Sequence, residues 1–258
     1  YTNTGYTMKI GIAGYGYVGL AHEAALKDYH EILIRDPALG HYADLQHADA
    51  IIVCVSTPAN DDGSCDYSNV YDIVSNAPPV PILIKSTISI EGWDIIRTEF
   101  ISANLTFSPE FLRAATALED FANTKQFMMG GDNVGFWAQL FIDAMGDISV
   151  SNASVAELIL TKYFRNAFLA TKVTFFNQMY DLCKAAGIDY DPVAIGVGMD
   201  PRIGDSHIQV TEMRGYGGHC FPKDMNALVN TAKAYNNTDL GLINQAINYN
   251  TQLRKESN

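Results

Sequence analysis

Basic residues are scarce in this chain of 258 residues, which has 17 Lys plus Arg against 29 Asp plus Glu and a formal net charge of −12. Neutralising the phosphates of a nucleic acid requires a basic surface, so the composition argues against a general nucleic-acid binder. A small anionic ligand stays compatible with this charge if a few cations are gathered in one cleft.

Long apolar runs are also absent. No run approaches the ~20 residues that a membrane-spanning helix needs. The polar start "YTNTGYT" has neither the basic nor the apolar region of a secretory signal peptide. The hydrophobic and charged fractions, 48% and 18%, are those of an ordinary soluble globular protein. We therefore expect no membrane partner and a cytoplasmic location.

Cysteine is sparse, with four residues and neither a CxxC nor a metal-like spacing. We therefore expect neither a disulfide framework nor a bound metal. Cys54, in an apolar strand, and Cys183, in a helix with apolar neighbours, are at positions typical of packing residues. Cys65 lies in the loop "DDGSCDYS" and receives no role. Cys220 has different surroundings, which are treated below.

The first half of the chain alternates short apolar runs with helical or looped segments. The runs are "MKIGIAG", "EILIRD", "AIIVCVS", "PILIKST", "NLTFSPE", "QFMMGG" and "DISVSN". Because they are apolar throughout, they suit strands that are covered on both faces. We predict the α/β class, with an N-terminal Rossmann-type doubly wound parallel sheet over residues 1–153. Only about 14 residues separate Asp36 from the strand at Ile51, so we expect an abbreviated sheet there.

Gly14, Gly16 and Gly19 form a GxGxxG pattern where the first strand meets a helix. The first glycine permits a tight turn, the second lets a pyrophosphate approach the backbone, and the third lets helix and strand pack closely. The helix N-terminus supplies N–H groups for the phosphates. Asp36 ends the next apolar run, where a carboxylate binds the adenosine ribose and repels a 2′-phosphate. The pattern predicts NAD rather than NADP; the alternative is a glycine-rich turn beside a solvent-facing Asp36.

A long helix is predicted to begin the second half. From Ser154 the sequence runs without proline to Gly187; Ser154 and Glu157 form a capping box, and Gly187 suits a C-terminal stop. At about 1.5 Å per residue the helix is ~50 Å long, enough to join two domains or to form a dimer spine. We predict that residues 154–258 form an all-helical substrate and dimerisation domain built on this helix.

One stripe of this helix is apolar except for two residues. Its members are Val155, Ile159, Lys162, Asn166, Leu169, Val173, Phe176 and Tyr180. Lys162 and Asn166 are four residues apart and point the same way. Because burying an unpaired lysine is costly, the two residues predict a polar pocket. The alternative is that Lys162 extends to water while Asn166 bonds a neighbouring backbone group.

Cys220 lies in "GYGGHCFPKDM", directly before a predicted helix start. Pro222 fits the first turn of that helix, and Asp224 suits the same turn. The partial positive charge at a helix N-terminus favours the nucleophilic thiolate. The glycines of the segment 215–218 leave room for a ligand or provide special backbone angles. Cys220 is therefore a candidate nucleophile; the alternative is a small buried apolar cysteine.

Together these segments resemble the UDP-glucose 6-dehydrogenase and GDP-mannose 6-dehydrogenase family. They occur in the family's order over about residues 8 to 250, as "GYGYVGL", "VSTPANDDGSCDYSNV", "IKSTIS", "SPEFLR", "KYFRNAFLATKVTFFNQMYDLC", "DPRIG" and "GYGGHCFPKD". The resemblance implies NAD-dependent oxidation of a nucleotide sugar, with UDP-glucose as the first candidate. The C6 alcohol would become a carboxylate through a thiohemiacetal and a thioester on Cys220.

The resemblance also implies roles for single residues. Lys162 and Asn166 would stabilise the developing oxyanion. Asp224 would pair with Lys162 or position water, and Glu110 would act as base in the hydrolysis. Thr87 would lie near the nicotinamide and help to hold a catalytic water. The implied NAD contacts are Gly14, Tyr15, Gly16, Tyr17, Val18, Gly19, Asp36, Val55, Ser56, Thr57, Pro58, Ser86 and Thr87.

On the substrate side the resemblance implies a homodimer through the long helix, with Arg202 reaching the substrate across the interface. The segment 215–218 would wrap the sugar nucleotide. The implied substrate contacts are Glu110, Phe111, Leu112, Arg113, Lys162, Asn166, Arg202, Gly215, Tyr216, Gly217 and Gly218.

Two departures from the family pattern bear on these expectations. Ala114 stands where the family commonly has a second glutamate, and the sequence stops at "NYNTQLRKESN" where the family continues into a third α/β domain that binds the UDP group. We expect a partner chain, tight dimerisation or a smaller substrate to compensate, or activity to be poor. Two other functions stay open: a two-electron hydroxyacid-type dehydrogenase, which needs no cysteine, and a non-catalytic nucleotide-binding relic.

Overall fold

The structure, a computed structural model, describes residues 7–235 and 238–256. Most of the polar start on which the leader prediction rests, residues 1–6, lies outside the described residues. The chain divides into two compact units. Unit 1 holds the described residues up to Asn60 together with Cys65–Lys162; unit 2 holds Asp61–Ser64 and the described residues from Tyr163 onward.

A mostly parallel sheet forms the centre of unit 1. Its strands in the described residues are β1 (Lys9–Ala13), β2 (Glu31–Asp36), β3 (His41–Tyr42), β4 (Ala50–Val53), β5 (Ile82–Ile84), β6 (Leu105–Phe107), β7 (Gln126–Gly131) and β8 (Ser149–Asn152). The strand order is β3-β2-β1-β4-β5-β6-β7-β8. Among the pairs that these described strands form, β2–β3 and β6–β7 are antiparallel and the others are parallel. The strand order reverses between β1 and β4, the kind of point at which open α/β sheets bind ligands. The predicted fold class is confirmed.

Between its strands unit 1 has the helices α1 (Tyr17–Leu26), α2 (Ser68–Asn76), α3 (Ile90–Glu99), α4 (Ala117–Ala122) and α5 (Val134–Met145). Every residue of β4, β5 and β6 is buried, as the continuous apolar runs predict. Aromatic side chains from the helices and from β7 complete this core: Phe121, Phe127, Trp137 and Phe141.

The connection from β2 to β4 is short, as expected. It contains the two-residue strand β3 and two single 3₁₀ turns, Pro37–Leu39 and Leu45–His47. The strand β3 pairs antiparallel with the end of β2 at the edge of the sheet. These short elements stand where a doubly wound sheet usually has a crossover helix.

The helix α6 (Val155–Ala186) passes from unit 1 into unit 2 between Lys162 and Tyr163. Its start is the predicted capping box: the Ser154 N–H donates to Glu157 Oε2 over 2.8 Å, and the Glu157 N–H donates to Ser154 Oγ over 3.3 Å. Gly187 follows the helix with a left-handed φ of +69°, and the Ile188 N–H donates to the Cys183 carbonyl. The local stop and start signals therefore set both ends of this helix.

Unit 2 contains no strand among its described residues; after α6 come α7 (Tyr190–Gly198), α8 (Cys220–Ala234) and α9 (Gly241–Glu256). The predicted apolar stripe of α6 is buried or half-buried along its whole length. A small core forms where α6 meets α7 and the segment that follows it: Phe176, Cys183, Tyr190, Ala194 and Ile208. Cys183 is thus a packing residue, as predicted.

No helix in the described ranges has both the length and the apolar character needed to cross a membrane.

Candidate active site

The glycine turn after β1 has the geometry that the GxGxxG pattern predicts. Gly14 has φ +88°, and a Cβ there would lie 2.5 Å from the Cys54 carbonyl oxygen. A Cβ on Gly19 would lie 2.2 Å from the Gly14 carbonyl oxygen. Gly16 differs, because a Cβ there would meet nothing within 4 Å. Backbone contacts thus require Gly14 and Gly19, whereas the space in front of Gly16 is open.

Asp36 lies beside this turn at the end of β2. The Tyr15 N–H donates to its Oδ2 over 2.8 Å. The Tyr15 hydroxyl donates to the Glu23 carboxylate, and this bond raises the pKa of Tyr15 to about 12. No side chain caps the start of α1 at Gly16 in the described part of the chain. An uncapped helix N-terminus, open space before a glycine and a carboxylate at the next strand end together fit a dinucleotide such as NAD.

The other predicted NAD contacts line the ends of neighbouring strands. Val55, Ser56, Thr57 and Pro58 follow β4, and Ser86 and Thr87 follow β5. The Ser86 hydroxyl donates to the Val55 carbonyl over 2.7 Å, and the Asn69 amide donates to the Ser56 carbonyl over 2.9 Å. These bonds fix both loops at the carboxyl end of the sheet. Tyr17 and Val18 lie in the first turn of α1.

A buried ion pair joins the ends of β5 and β6. Lys85, only 2% exposed, donates to Ser108 Oγ over 3.0 Å, and its Nζ lies 3.2 Å from Glu110 Oε2. Burial alone would raise the pKa of Glu110, but the Lys85 ammonium is the largest opposing influence and holds that pKa below its ordinary value. The Phe111 N–H donates to the other carboxylate oxygen over 2.8 Å. Glu110 is therefore a fixed, ionised carboxylate.

Lys162, near the start of α6, is buried and engages the same segment. Its Nζ donates to the Glu110 backbone carbonyl and lies 5.4 Å from the centre of the Phe111 ring. The interpretation in which Lys162 extends to water is therefore wrong, whereas the polar pocket stays a prediction. Leu112, the next residue of the segment, packs against the core of unit 1.

A second polar pair lies in unit 2. The amide of Asn166, which is buried, donates to Asp224 Oδ2 over 2.6 Å, and Lys223 Nζ lies 2.7 Å from Asp224 Oδ1. Asp224 is only 1% exposed. The expectation that Asp224 belongs to the first turn of its helix is wrong, since α8 begins at Cys220 and Asp224 is one turn further on. That position brings the Asp224 carboxylate to the Asn166 amide on α6, within unit 2.

Cys220 is the first residue of α8 and is half-buried. The turn before it is held from two helices. The Tyr216 N–H donates to Asn250 Oδ1 over 2.7 Å, and the Gly215 N–H donates to Asn177 Oδ1 over 3.0 Å. Gly215 has φ +58°, and a Cβ there would lie 2.3 Å from Asn250 Oδ1. A side chain at position 215 would therefore clash with the Asn250 amide that holds this turn.

The remaining residues of this turn differ in exposure. Tyr216 is buried, which raises its pKa to about 12. Gly217 lies against the Arg254 guanidinium, whereas Gly218 is exposed, with φ +74°. The Tyr216 side chain therefore serves packing, and ligand contact by Gly217 and Gly218 stays a prediction.

Both arginines predicted to contact substrate are exposed and already paired. The Arg113 guanidinium lies 2.5 Å from Asp120, and that of Arg202 lies 2.5 Å from Asp200. Ala114, where the resemblance implies a second glutamate, begins an exposed 3₁₀ turn. Substrate contact by these arginines stays a prediction.

Sequence reasoning missed several residues of these arrangements, among them Lys85, Ser108, Asn177 and Asn250. A usable signal existed for Lys85, because a lysine directly after a buried strand must be paired. Cys54 was placed wrongly, since β4 ends at Val53 and Cys54 follows it. Burial raises the Cys54 thiol pKa.

No group of three or more His, Cys, Asp or Glu side chains in the described ranges is placed to hold a metal ion.

Comparison with known proteins gives matches in both halves of the chain. Residues 40–139 match the NAD binding domain of the UDP-glucose/GDP-mannose dehydrogenase family, and residues 154–252 match its central domain. The UDP-glucose 6-dehydrogenase of Rickettsia felis is 34% identical over 225 residues, which are 81% of this chain and 49% of the relative. The UDP-glucose 6-dehydrogenase of Rhizobium meliloti is 31% identical, over 96% of this chain and 68% of the relative.

A solved structure shares the fold of nearly the whole chain. The UDP-glucose dehydrogenase of the archaeon Pyrobaculum islandicum superposes with a TM-score of 0.81 at 23% identity, covering 99% of this chain and 70% of that one. The chain spans about half the length of the Rickettsia felis relative.

Proposed function

Because the chain belongs to the UDP-glucose/GDP-mannose dehydrogenase family, we propose that it oxidises C6 of a nucleotide sugar from an alcohol to a carboxylate. UDP-glucose is the first candidate substrate, since both relatives described above are named UDP-glucose 6-dehydrogenases. The observation that carries the proposal is Cys220 at the start of α8, one turn before an Asp224 that is bonded to Asn166. A two-electron hydroxyacid dehydrogenase has no need of this cysteine.

NAD is the cofactor of the proposed reaction. The N–H groups at the start of α1 and the open backbone at Gly16 would hold its pyrophosphate, and Asp36 would bind the adenosine ribose. The loops after β4 and β5, with Ser56–Pro58 and Ser86–Thr87, would complete the contacts. The chemistry that NAD supplies when bound is hydride acceptance, once in each of two oxidations.

Cys220 would carry the second half of the reaction. Its Sγ adds to the C6 carbon of the aldehyde, and the aldehyde oxygen becomes the hydroxyl of a thiohemiacetal. Loss of a hydride and a proton leaves a thioester. Water then adds to the thioester carbonyl, the C–S bond breaks, and Cys220 leaves as a thiolate. One alcohol, one water and two NAD thus give one carboxylate, two NADH and three protons.

The polar residues of α6 have the chemistry that this sequence of steps requires. The Lys162 ammonium and the Asn166 amide would donate to the oxygen on C6 as negative charge develops there. Asp224 would hold the Asn166 amide in place and position water. Glu110 would take the proton of the attacking water, and Thr87 would help to hold that water.

We further propose that the active form is a homodimer through α6 in the cytoplasm. Four large apolar side chains of α6 are exposed: Phe164, Phe168, Phe175 and Leu182. Their spacing of 4, 7 and 7 residues places them on one side of the helix, opposite the buried stripe. Exposed apolar patches of this kind mark interaction sites. In such a dimer Arg202, which is 87% exposed, would reach the partner's substrate, and the peptide groups of 217 and 218 would contact the sugar.

The test is to incubate the chain with NAD and a panel of UDP- and GDP-sugars and to count NADH per sugar consumed. We expect two NADH per sugar, and at most one in Cys220→Ala; Cys183→Ala, which alters a packing cysteine, should retain two. One NADH per sugar with Cys220→Ala fully active would identify a two-electron dehydrogenase. Binding of NAD without binding of any nucleotide sugar would support the relic.

A further inference from the structure

We propose that Lys85 is a positioning residue that keeps the Glu110 carboxylate ionised and aimed for the hydrolysis step. The inference rests on the proposed function only in that it assigns Glu110 as the base. The pairing of the two side chains is a feature of unit 1 alone.

The ends of two adjacent strands bring Lys85 and Glu110 together. The β5–β6 register pairs Ile84 with Phe107, so Lys85 and Ser108 are the next residues of the two strands. The Ser108 hydroxyl accepts a hydrogen bond from Lys85 Nζ over 3.0 Å and is itself buried. Glu110 follows Ser108 by two residues, and its carboxylate Oε2 lies 3.2 Å from the same Lys85 Nζ. The lysine is thus anchored by Ser108 while it faces the carboxylate.

Three contacts restrain Glu110. The Phe111 N–H fixes Oε1, Lys85 faces Oε2, and Lys162 Nζ binds the backbone carbonyl. No donor in the described ranges is aligned for a hydrogen bond to Oε2. The Lys85 contact with that oxygen is therefore an ion pair held by charge. Removing the charge would leave the carboxylate with a neutral donor, the Phe111 N–H, in place of an ion pair.

The other titratable groups near this pair do not replace the lysine charge. His22 on α1 is fully buried, which lowers its pKa to about 4, and its Nδ1–H donates to the Val18 carbonyl. Cys54, after β4, is a thiol whose pKa burial raises. Both groups are therefore uncharged near neutral pH. Lys162 Nζ donates to the backbone carbonyl of Glu110, and Lys85 Nζ lies 3.2 Å from its carboxylate Oε2.

This arrangement has a direct consequence for a base. A buried carboxylate without a partner holds its proton up to a higher pH and cannot accept one from water. The Lys85 ammonium favours the ionised form of Glu110 and so keeps it able to accept a proton. The hydrogen bond to Ser108 holds the ammonium in position beside the carboxylate. During hydrolysis Glu110 takes one proton from the attacking water, the water oxygen bonds to the thioester carbon, and the thiolate of Cys220 leaves.

The direct test is the titration of the Glu110 carboxyl by NMR in protein labelled with ¹³C at the glutamate carboxyl, assigned by comparison with Glu110→Gln. In Lys85→Met we expect this carboxyl to titrate about 1–3 pH units higher than in the wild type. Lys85→Arg should restore a low value. Lys9→Met is the matched control, because Lys9 forms an exposed ion pair with Glu31 at 3.9 Å.

A kinetic readout follows the same group. The acidic limb of thioester hydrolysis should move to higher pH in Lys85→Met by the same amount, while the first hydride transfer keeps its pH profile. Lys85→Met with Glu110→Gln removes both charges and should recover folding if the single variant is unstable. An unshifted Glu110 titration in folded Lys85→Met would overturn the inference. The titration needs no turnover, so a chain that oxidises no nucleotide sugar would refute the proposed function and leave this result standing.

Discussion

Asn250 holds the backbone of Tyr216 with both groups of its side-chain amide. The Tyr216 N–H donates to Oδ1 over 2.7 Å, and Nδ2 donates to the Tyr216 carbonyl over 3.0 Å. Both residues are buried, and the Asn177 amide holds the preceding Gly215 from α6. The turn that leads to Cys220 is therefore held by side chains of both α6 and α9.

Replacing Asn250 should loosen this turn. In Asn250→Leu the N–H and carbonyl of Tyr216 lose their partners in a buried setting, at a cost of roughly 1–3 kcal/mol for each group. We expect faster hydrogen exchange of the amides in 215–218 and a raised KM for the nucleotide sugar, with unchanged NAD affinity. Asn248→Leu, at an exposed position of the same helix, is the control. Unchanged hydrogen exchange of residues 215–218 in Asn250→Leu would show that Asn250 does not hold this turn.

The glycine turn makes opposite predictions for two neighbouring glycines. Gly16 has φ −70° and open space at its Cβ, so Gly16→Ala should fold normally. Its methyl group would occupy the space proposed for the pyrophosphate, and we expect NAD affinity to fall at least about tenfold, or about 1.4 kcal/mol. Gly14→Ala should instead lose stability, because the new Cβ meets the Cys54 carbonyl. Calorimetric titration with NAD and thermal unfolding separate the two effects. Wild-type NAD affinity in Gly16→Ala would exclude the pyrophosphate from this position.

The exposed stripe of α6 predicts the oligomeric state. Phe168 is 69% exposed at its centre. We expect the wild type to have twice the mass of one chain in size-exclusion chromatography with light scattering, and Phe168→Glu to shift it to a monomer. Ile101→Glu, at a position 77% exposed in unit 1, should remain dimeric. A monomeric wild type would rule out dimerisation through α6.

His22 predicts how stability depends on pH. Its folded pKa is lowered by burial to about 4 from an ordinary 6.5, so the unfolded chain binds its proton first as the pH falls. Stability from this residue is complete above pH 6.5 and declines as the pH falls towards 4, by roughly 3 kcal/mol in all. Urea unfolding at several pH values should show this slope in the wild type and in His47→Phe, which alters an exposed histidine. The slope should be weaker in His22→Phe; an identical slope there would contradict the assignment.

The fold was predictable because its signals are local. The apolar runs give β2 and β7 with their observed bounds, and the capping box at Ser154 and the glycine at 187 give α6 to within one residue at each end. The steric demands at Gly14 and Gly19 follow from their spacing alone. These features depend on neighbours in sequence.

The pairing within the candidate site was not predictable in the same way. Asn166 and Asp224 are 58 residues apart in sequence, and Tyr216 and Asn250 are 34 apart. Their contacts depend on how the helices pack, which a single sequence does not specify. The sequence placed Asn166 on the buried face correctly, but it gave no means to choose among the acidic partners.

The central claim is that Cys220 carries the oxidised sugar as a thioester. The most direct measurement is intact-mass and peptide-mapping mass spectrometry of Glu110→Gln, in which hydrolysis should be slow, after incubation with NAD and UDP-glucose. The account predicts an adduct of one nucleotide-sugar acyl group on the peptide that contains Cys220, absent without NAD and absent in Glu110→Gln with Cys220→Ala. Formation of NADH with Cys220 unmodified at every time point would contradict it.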